Sequence, residues 1–121
     1  MRDKDIIQSI LGYIEDIEND ISGCHDIEDY LDDYNLQRLC SFSLIQIGEL
    51  IKRLSPKVTD EYKDVEWSEI AKLRDYLVHN YVKIEAMEIW SDVTKDIPQL
   101  KKSLMKILTE LNDNEEGEYP F

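Results

Sequence analysis

The C-terminal part of the chain carries apolar residues at alternating intervals of four and three positions. This spacing keeps them on one face of an α-helix, and no segment of the chain shows the alternation typical of a half-buried β-strand. Pro98 interrupts the series without shifting its phase, which predicts a kink or a second helix start after Asp96. The pattern therefore predicts one long helix from about 85 to 111. Its members are Ala86, Trp90, Val93, Ile97, Leu100, Leu104, Ile107 and Leu111.

The rest of the chain is predicted to be helical on the same grounds. Isoleucines recur at intervals of three and four from Ile7 to Ile21, and Ser22-Gly23 then provide a helix end. Four further helical segments are expected at 27–31, 35–54, 59–62 and 66–81, with Asp26 and Asn35 as N-caps of the first two.

Helices of this number, joined by short links, predict an all-α fold, an antiparallel bundle of four to five helices. A length of 121 residues supports one domain with one core, and the hydrophobic share of 42% is typical of a globular chain. We place this bundle at 1–111 and expect a disordered acidic tail at 112–121.

Two features predict a soluble, cytoplasmic protein. No stretch approaches 18 consecutive apolar residues, so no membrane contact is expected, and the N-terminal MRDKD lacks the apolar segment of a signal peptide. In that compartment Cys24 and Cys40 are expected to be free thiols, and their spacing does not match a metal site. We expect neither a metal nor a cofactor.

The charge of the chain is strongly negative but unevenly distributed. Its 27 acidic and 14 basic residues give a formal net charge of −13. Residues 1–36 contain 11 acids and 2 bases, 113–118 contain four acids and no base, and 37–112 contain 12 of each. Because phosphate backbones recruit basic surfaces, broad charge-driven binding is disfavoured and DNA is not an expected partner. Local binding of RNA by the neutral central stretch remains compatible with this distribution.

The helix predicted over 35–54 has apolar residues on two opposite faces. A surface helix normally has one such face, so the second predicts contact with another copy of the chain in a two-fold homodimer. Alternatively, its hydrophobic residues are simply exposed. Gly48 lowers the stability of a helix by about 1 kcal/mol relative to alanine. It either allows a close contact between two helices or is simply tolerated. One face holds Cys40, Ser43, Leu44, Ile47, Leu50, Ile51 and Leu54, and the other holds Phe42, Ile45 and Glu49.

An arginine interrupts the apolar stripe of the helix predicted over 66–81. Because an unpaired buried charge is costly, Arg74 needs a partner, for which Glu49 is the candidate. The alternative is a guanidinium that reaches water from a buried stem. The other members of the stripe are Trp67, Ile70, Leu77 and Tyr81.

His79 follows on the same helix, about 140° around from Arg74. Asp75 precedes His79 by four positions and could orient its imidazole. Tyr81 lies only about 20° from Arg74, either as the end of the core stripe or beside the same cleft. The angle between Arg74 and His79 makes a compact site within one protomer unfavourable. It favours a cleft at a two-fold axis, which receives these side chains from both subunits.

Arg74, His79 and Tyr81 together have the form R-x4-H-x-Y. This resembles the signature of HepT-like toxins in the HEPN superfamily. The resemblance covers about 36–108, with departures at Asp75, where asparagine is common, and at 83–85, where an acidic turn is frequent. The further segments that are similar to the family are Leu44–Leu54 with its I-G-E sequence, the motif helix from Trp67, and Trp90, Asp96-Ile97-Pro98 and Leu100 in the closing helix.

The resemblance implies a small homodimer that acts as a metal-independent endoribonuclease, the toxin of a type II or type VII toxin–antitoxin pair. Arg74 and His79 from both subunits would then be catalytic, with Asp75 and Glu49 in support. The implied antitoxin is a minimal nucleotidyltransferase that can transfer AMP to Tyr81. One alternative is a non-catalytic HEPN subunit that presents substrate to a partner nucleotidyltransferase. Another is a helical interaction module in which the motif is structural.

The residue types suit metal-free cleavage of RNA, which carries its own nucleophile in the 2′-hydroxyl group. A base must take the 2′-hydroxyl proton and an acid must protonate the departing 5′-oxygen, and histidine titrates near working pH. Arg74 suits the phosphate because its planar guanidinium can hold two non-bridging oxygens. One His79 and one Arg74 per protomer are therefore sufficient in a dimer.

Overall fold

The structure, a computed structural model, describes residues 2–79 and 86–118, apart from the side chains of His79 and of residues 115–118. This part of the chain is all-α and contains no strand, which confirms the predicted fold class. The elements are α1 (Asp3–Ile21), α2 (Ile27–Leu31), α3 (Tyr34–Ile51), α4 (Pro56–Glu61), α5 (Trp67–His79), α6 (Ala86–Ser91), a π-helical turn (Asp92–Asp96) and α7 (Ile97–Glu118).

The isoleucine series of α1 forms one wall of the core, as its spacing predicts. The buried members are Ile6, Ile7, Ile10, Ile14 and Ile17, and the helix ends before Ser22-Gly23. The start of α1 lies beside the end of α3, since both carboxylate oxygens of Asp3 accept hydrogen bonds from Ser55, from its N–H at 2.9 Å and from Oγ at 2.5 Å. Helices α1 and α3 are therefore antiparallel.

Two helix starts differ from the expected ones. The N-cap of α2 is Asp26, as predicted, but that of α3 is Asp33, whose side chain accepts the N–H of Leu36 at 3.0 Å. A carboxylate also interacts favourably with the helix dipole at this end, so Asn35 falls inside the first turn. Helix α4 begins at Pro56, earlier than the predicted Thr59, because proline suits the first helical position.

The predicted kink near Pro98 takes the form of the π-helical turn immediately before it. Proline has no N–H to donate to the preceding turn, so the backbone there is free to adopt a wider one. The spacing of the buried residues reflects the wider turn. Two successive intervals of four positions span it, and after them the intervals alternate between three and four. They are Ile89, Val93, Ile97, Leu100, Leu104 and Ile107.

Helix α7 continues past Leu111 to Glu118, where the sequence predicts a tail. The first helix-breaking residue after Pro98 is Gly117, so nothing in the local sequence stops the helix at 111. The expected boundary is corrected accordingly for 112–118, and 119–121 lie outside the described residues.

Helix α3 lies centrally, packed against α1 on one side and α5 on the other. Helix α7 runs along α1, and Lys101 near its start pairs with Glu18 near the end of α1 at 3.0 Å. The buried residues of these helices form one continuous core. Within the described ranges, no helix is both long and apolar enough to cross a bilayer.

Candidate functional site

Helices α3 and α5 approach each other closely where they cross at Gly48. A Cβ added to Gly48 would overlap the Cβ of Arg74, and it would lie 3.0 Å from Arg74 Cγ and 3.3 Å from the carbonyl oxygen of Ile70. The glycine therefore has a packing role, which decides between the two explanations offered by the sequence. The stem of Arg74 occupies the space that a larger residue would take.

The rest of α5 holds Arg74 in this position. Trp67 and Leu77 of the predicted stripe are buried, and Ile70 is partly buried against the core. The indole Nε1 of Trp67 donates to the carbonyl oxygen of Tyr62 at 2.9 Å, which fixes the start of the helix. Arg74 thus extends from an anchored helix toward the surface.

Arg74 is paired with Glu49, the partner that the sequence predicts. The Nε atom lies 3.0 Å from Glu49 Oε2, and the arginine side chain is 25% exposed. Nε is itself buried and lacks a well-directed hydrogen bond, so the contact is a charge pair rather than a bidentate fork. The guanidinium is partly desolvated and is held beside Glu49, which directly follows Gly48 on α3.

Asp75 joins the same cluster, with partners that the sequence did not identify. Its Oδ1 accepts from Arg74 Nη1 at 3.0 Å and from Lys52 Nζ at 2.5 Å. These hydrogen bonds hold the pKa of the Asp75 carboxyl below its usual range, and the bond from Lys52 has the larger effect. Lys52 lies three positions after Glu49 on α3, and this i,i+3 spacing was the available signal. We define the Arg74 cluster as Arg74, Glu49, Asp75 and Lys52.

His79 is the last residue of α5, and its side chain is outside the described part of the structure. The predicted contact between Asp75 and His79 therefore stays a prediction, as does every role of Tyr81, which lies outside the described residues. The structure brings together three of the five predicted site residues.

The second face of α3 is exposed beside this cluster. Phe42 is 56% exposed and Leu39 is 51% exposed, whereas Ile45 packs partly on the core. Phe42 contacts Tyr13 of α1 edge-on, with the ring centroids 6.4 Å apart. Phe42 of this face and Leu39 beside it are thus two exposed large apolar side chains on the helix that carries Glu49.

The Arg74 cluster contains two cations and two carboxylates, so its formal charge is zero. An anion that binds Arg74 must therefore compete with Glu49 and Asp75. Among the residues that the structure describes, no group of three histidine, cysteine, aspartate or glutamate side chains is arranged to hold a metal ion.

The proteins that this chain resembles have names that point to the same family. A relative from Caldanaerobacter subterraneus subsp. tengcongensis, named as a candidate RNase, is 38% identical over 81 residues, which span 67% of this chain and 72% of the relative. A probable ribonuclease HepT from Thermococcus cleftensis is 29% identical over 101 residues, which span 78% of this chain and 92% of the relative.

A third relative is a longer protein of Methanocaldococcus jannaschii, named as a gamma-glutamylcyclotransferase and candidate RNase. It is 38% identical over 73 residues, which span 60% of this chain but only 33% of that protein. No solved structure matches the chain. The family model described as ribonuclease HepT-like matches residues 10–107. The chain therefore belongs to the HepT-like ribonuclease family of the HEPN superfamily.

Proposed function

We propose that this protein is a metal-independent endoribonuclease and the toxin of a toxin–antitoxin pair. The observation that carries the proposal is the position of Arg74. Its guanidinium is partly desolvated at the crossing of α3 and α5, and it lies five residues before His79 on the same helix. This arrangement occurs in a chain whose residues 10–107 match the HepT-like ribonuclease family.

The proposed reaction uses the 2′-hydroxyl group of the RNA as the nucleophile. Neutral His79 of one subunit takes the 2′-hydroxyl proton, and the 2′-oxygen forms a bond to phosphorus. The bond from phosphorus to the 5′-oxygen breaks, and protonated His79 of the other subunit donates a proton to that oxygen. The products are a 2′,3′-cyclic phosphate and a 5′-hydroxyl end, with no water or metal consumed.

Arg74 stabilises the negative charge that develops on the phosphate oxygens. Glu49 and Asp75 hold the guanidinium in place before RNA arrives, at 3.0 Å each. Both of these contacts are ion pairs. When RNA binds, its phosphate therefore replaces the carboxylates of Glu49 and Asp75 at Arg74 rather than water. Lys52 keeps Asp75 charged and near Arg74 during this exchange.

The site requires two copies of the chain in this proposal. Phe42 on the second face of α3 and the neighbouring exposed Leu39 supply an apolar contact in this proposal, on the same helix as Glu49 of the Arg74 cluster. A two-fold axis there brings together one His79 and one Arg74 from each subunit. A nucleotidyltransferase antitoxin neutralises the enzyme by transferring AMP to Tyr81, which adds a bulky anion to the cleft.

The test is cleavage of a synthetic RNA in the presence of EDTA by the wild type, His79→Ala and Arg74→Gln. Glutamine retains most of the stem that packs at Gly48, so the fold survives the second change, which thermal melting verifies. Lys106→Gln, on the exposed side of α7, is the charge-matched control and keeps wild-type activity. We expect each motif variant to lose at least about 100-fold in rate. Folded variants that cleave at the wild-type rate refute the catalytic assignment.

A second candidate function is a non-catalytic HEPN subunit that presents substrate to a nucleotidyltransferase. The observation in its favour is the neutral Arg74 cluster, in which Glu49 and Asp75 already occupy the cations. This candidate predicts no RNA cleavage by the wild type, together with co-purification of the nucleotidyltransferase with an affinity that depends on nucleotide.

A further inference from the structure

A groove of about 810 Å³ lies between α5 on one side and the π-helical turn with the start of α7 on the other. It occupies a different face of α5 from the Arg74 cluster, because Leu73 at the centre of the groove face is about 100° around the helix from Arg74. None of the four residues of that cluster lines the groove. An inference about this groove is therefore independent of the proposed ribonuclease site.

The floor of the groove is apolar. Ile97 and Leu100 of α7 are buried, and Ile70 and Leu73 of α5 are partly buried beside them. Tyr76 lies at the edge, 40% exposed. A concave surface with this floor stabilises a bound apolar side chain by removing it from water.

The rim of the groove is acidic. Five carboxylates line it, and Lys72 is the one basic side chain among its lining residues, 3.4 Å from Glu69. The acidic residues are Asp64, Glu66 and Glu69 on the α5 side and Asp92 and Asp96 on the π-helical turn. Acidic side chains therefore outnumber basic ones by five to one among the lining residues of the groove.

One aspartate of the π-helical turn, Asp92, is partly buried at this rim. Burial raises the pKa of Asp92 to about 7, and its hydrogen bond to Asp96 adds to the shift. A carboxyl group in this condition gains a favourable interaction when a positive charge arrives. The groove thus combines an apolar floor with an excess of acidic over basic side chains.

Only one class of occupant satisfies both features. RNA is repelled by the carboxylates, and a small cation leaves the apolar floor open to water. A helix with apolar residues on one side and lysine or arginine on the other covers the floor and neutralises the rim. We propose that the groove between α5 and α7 binds a basic amphipathic segment of a partner protein.

The test uses a fluorescently labelled 14-residue helical peptide with leucine at positions i, i+3, i+4 and i+7 and lysine on its other side. Fluorescence anisotropy measures its affinity for the full chain. A scrambled peptide of the same composition and a peptide with glutamate in place of lysine are the ligand controls. We expect the first peptide to bind and both controls to bind at least about fivefold more weakly.

The protein variants place the binding at this groove. Asp64→Asn with Asp96→Asn removes one exposed acid from each side of the rim, and we expect this variant to weaken binding by about fivefold. Glu15→Gln with Glu28→Gln removes the same charge from exposed positions of α1 and α2, and the affinity stays within about twofold. Tyr76→Ser weakens binding without any change in charge.

Three results would overturn the proposal. The first is equal weakening by the two charge variants, since binding would then follow the net charge of −13 rather than the groove. The second is equal affinity for the designed and the scrambled peptide. The third is preference for the glutamate peptide. None of these readouts depends on ribonuclease activity, so failure here leaves the proposed function standing.

Discussion

Substitution of Gly48 by alanine should force α3 and α5 apart. The new Cβ would overlap Arg74 Cβ and lie 3.3 Å from the carbonyl oxygen of Ile70. Both atoms are fixed to the backbone of α5, so a change of rotamer relieves neither contact. The helix itself must shift, and this moves the guanidinium of Arg74 away from Glu49, which lies next to Gly48 on α3.

The magnitude follows from two opposing effects. Overpacking of a well-packed contact costs about 1–3 kcal/mol of unfolding free energy. Alanine returns up to about 1 kcal/mol because it favours the helix more than glycine does. We therefore expect a net loss of up to about 2 kcal/mol, or up to roughly 8 °C in Tm for a chain of this size.

Gly12→Ala is the matched control. Gly12 also lies inside a helix, α1, but nothing is within 4 Å of a Cβ added there. This variant should gain up to about 1 kcal/mol, so the two substitutions should have opposite signs. Urea unfolding of both variants measures the difference. A gain in stability for Gly48→Ala similar to that of Gly12→Ala would refute the close approach of α3 and α5.

Three other substitutions test the core and the charged groups. Leu104→Ala, at a position that is 0% exposed, should lower the unfolding free energy in urea by about 2–5 kcal/mol, whereas Met105→Ala, at a 53% exposed neighbour, should change it by less than about 1 kcal/mol. The pKa of Asp92 is about 7 in the fold against an ordinary 3.8, so its ionisation destabilises the fold as the pH rises from 4 to 7. Asp92→Asn should therefore stabilise the protein at pH 8 and not at pH 3, by about 1–2 kcal/mol after allowance for partial solvent exposure. Lys52→Met should raise the pKa of Asp75 toward its ordinary value in an NMR titration of the carboxyl group, and an unchanged value would show that Lys52 is not its main partner.

The sequence predicts most of the fold because its helices are amphipathic and their ends are marked. The isoleucines of α1 recur at helical spacing and Ser22-Gly23 follow them, so local information is sufficient there. The N-cap of α3 was harder, since Asp33 and Asn35 are both good capping residues and lie two positions apart. Asp33 starts the helix because its carboxylate accepts the N–H of Leu36 and interacts favourably with the helix dipole.

The Arg74 cluster could be predicted in part for a similar reason. Arg74 lies on an apolar face of α5 and Glu49 lies on an apolar face of α3. Their opposite charges, each among apolar residues, predict that they pair. The contact between Lys52 and Asp75 joins residues 23 positions apart, and it exists because α3 and α5 approach closely at Gly48. That distance between helices is a tertiary property, which helical periodicity does not contain.

The π-helical turn also sets how insertions and deletions act on this chain. A π turn holds about one residue more than the α-helical turn it replaces. Deletion of one residue between Ser91 and Asp96 would allow an uninterrupted α-helix from α6 into α7, in which Ile89 and Ile97 would be seven positions apart and would share one face, about 20° from each other. Ile89 would then stay in the core, whereas the wall of the groove that holds Asp92 and Asp96 would change shape. This helix can thus lose one residue at the π-helical turn without losing its core register, and a single-residue gap there in an alignment would mark a relative with a differently shaped groove.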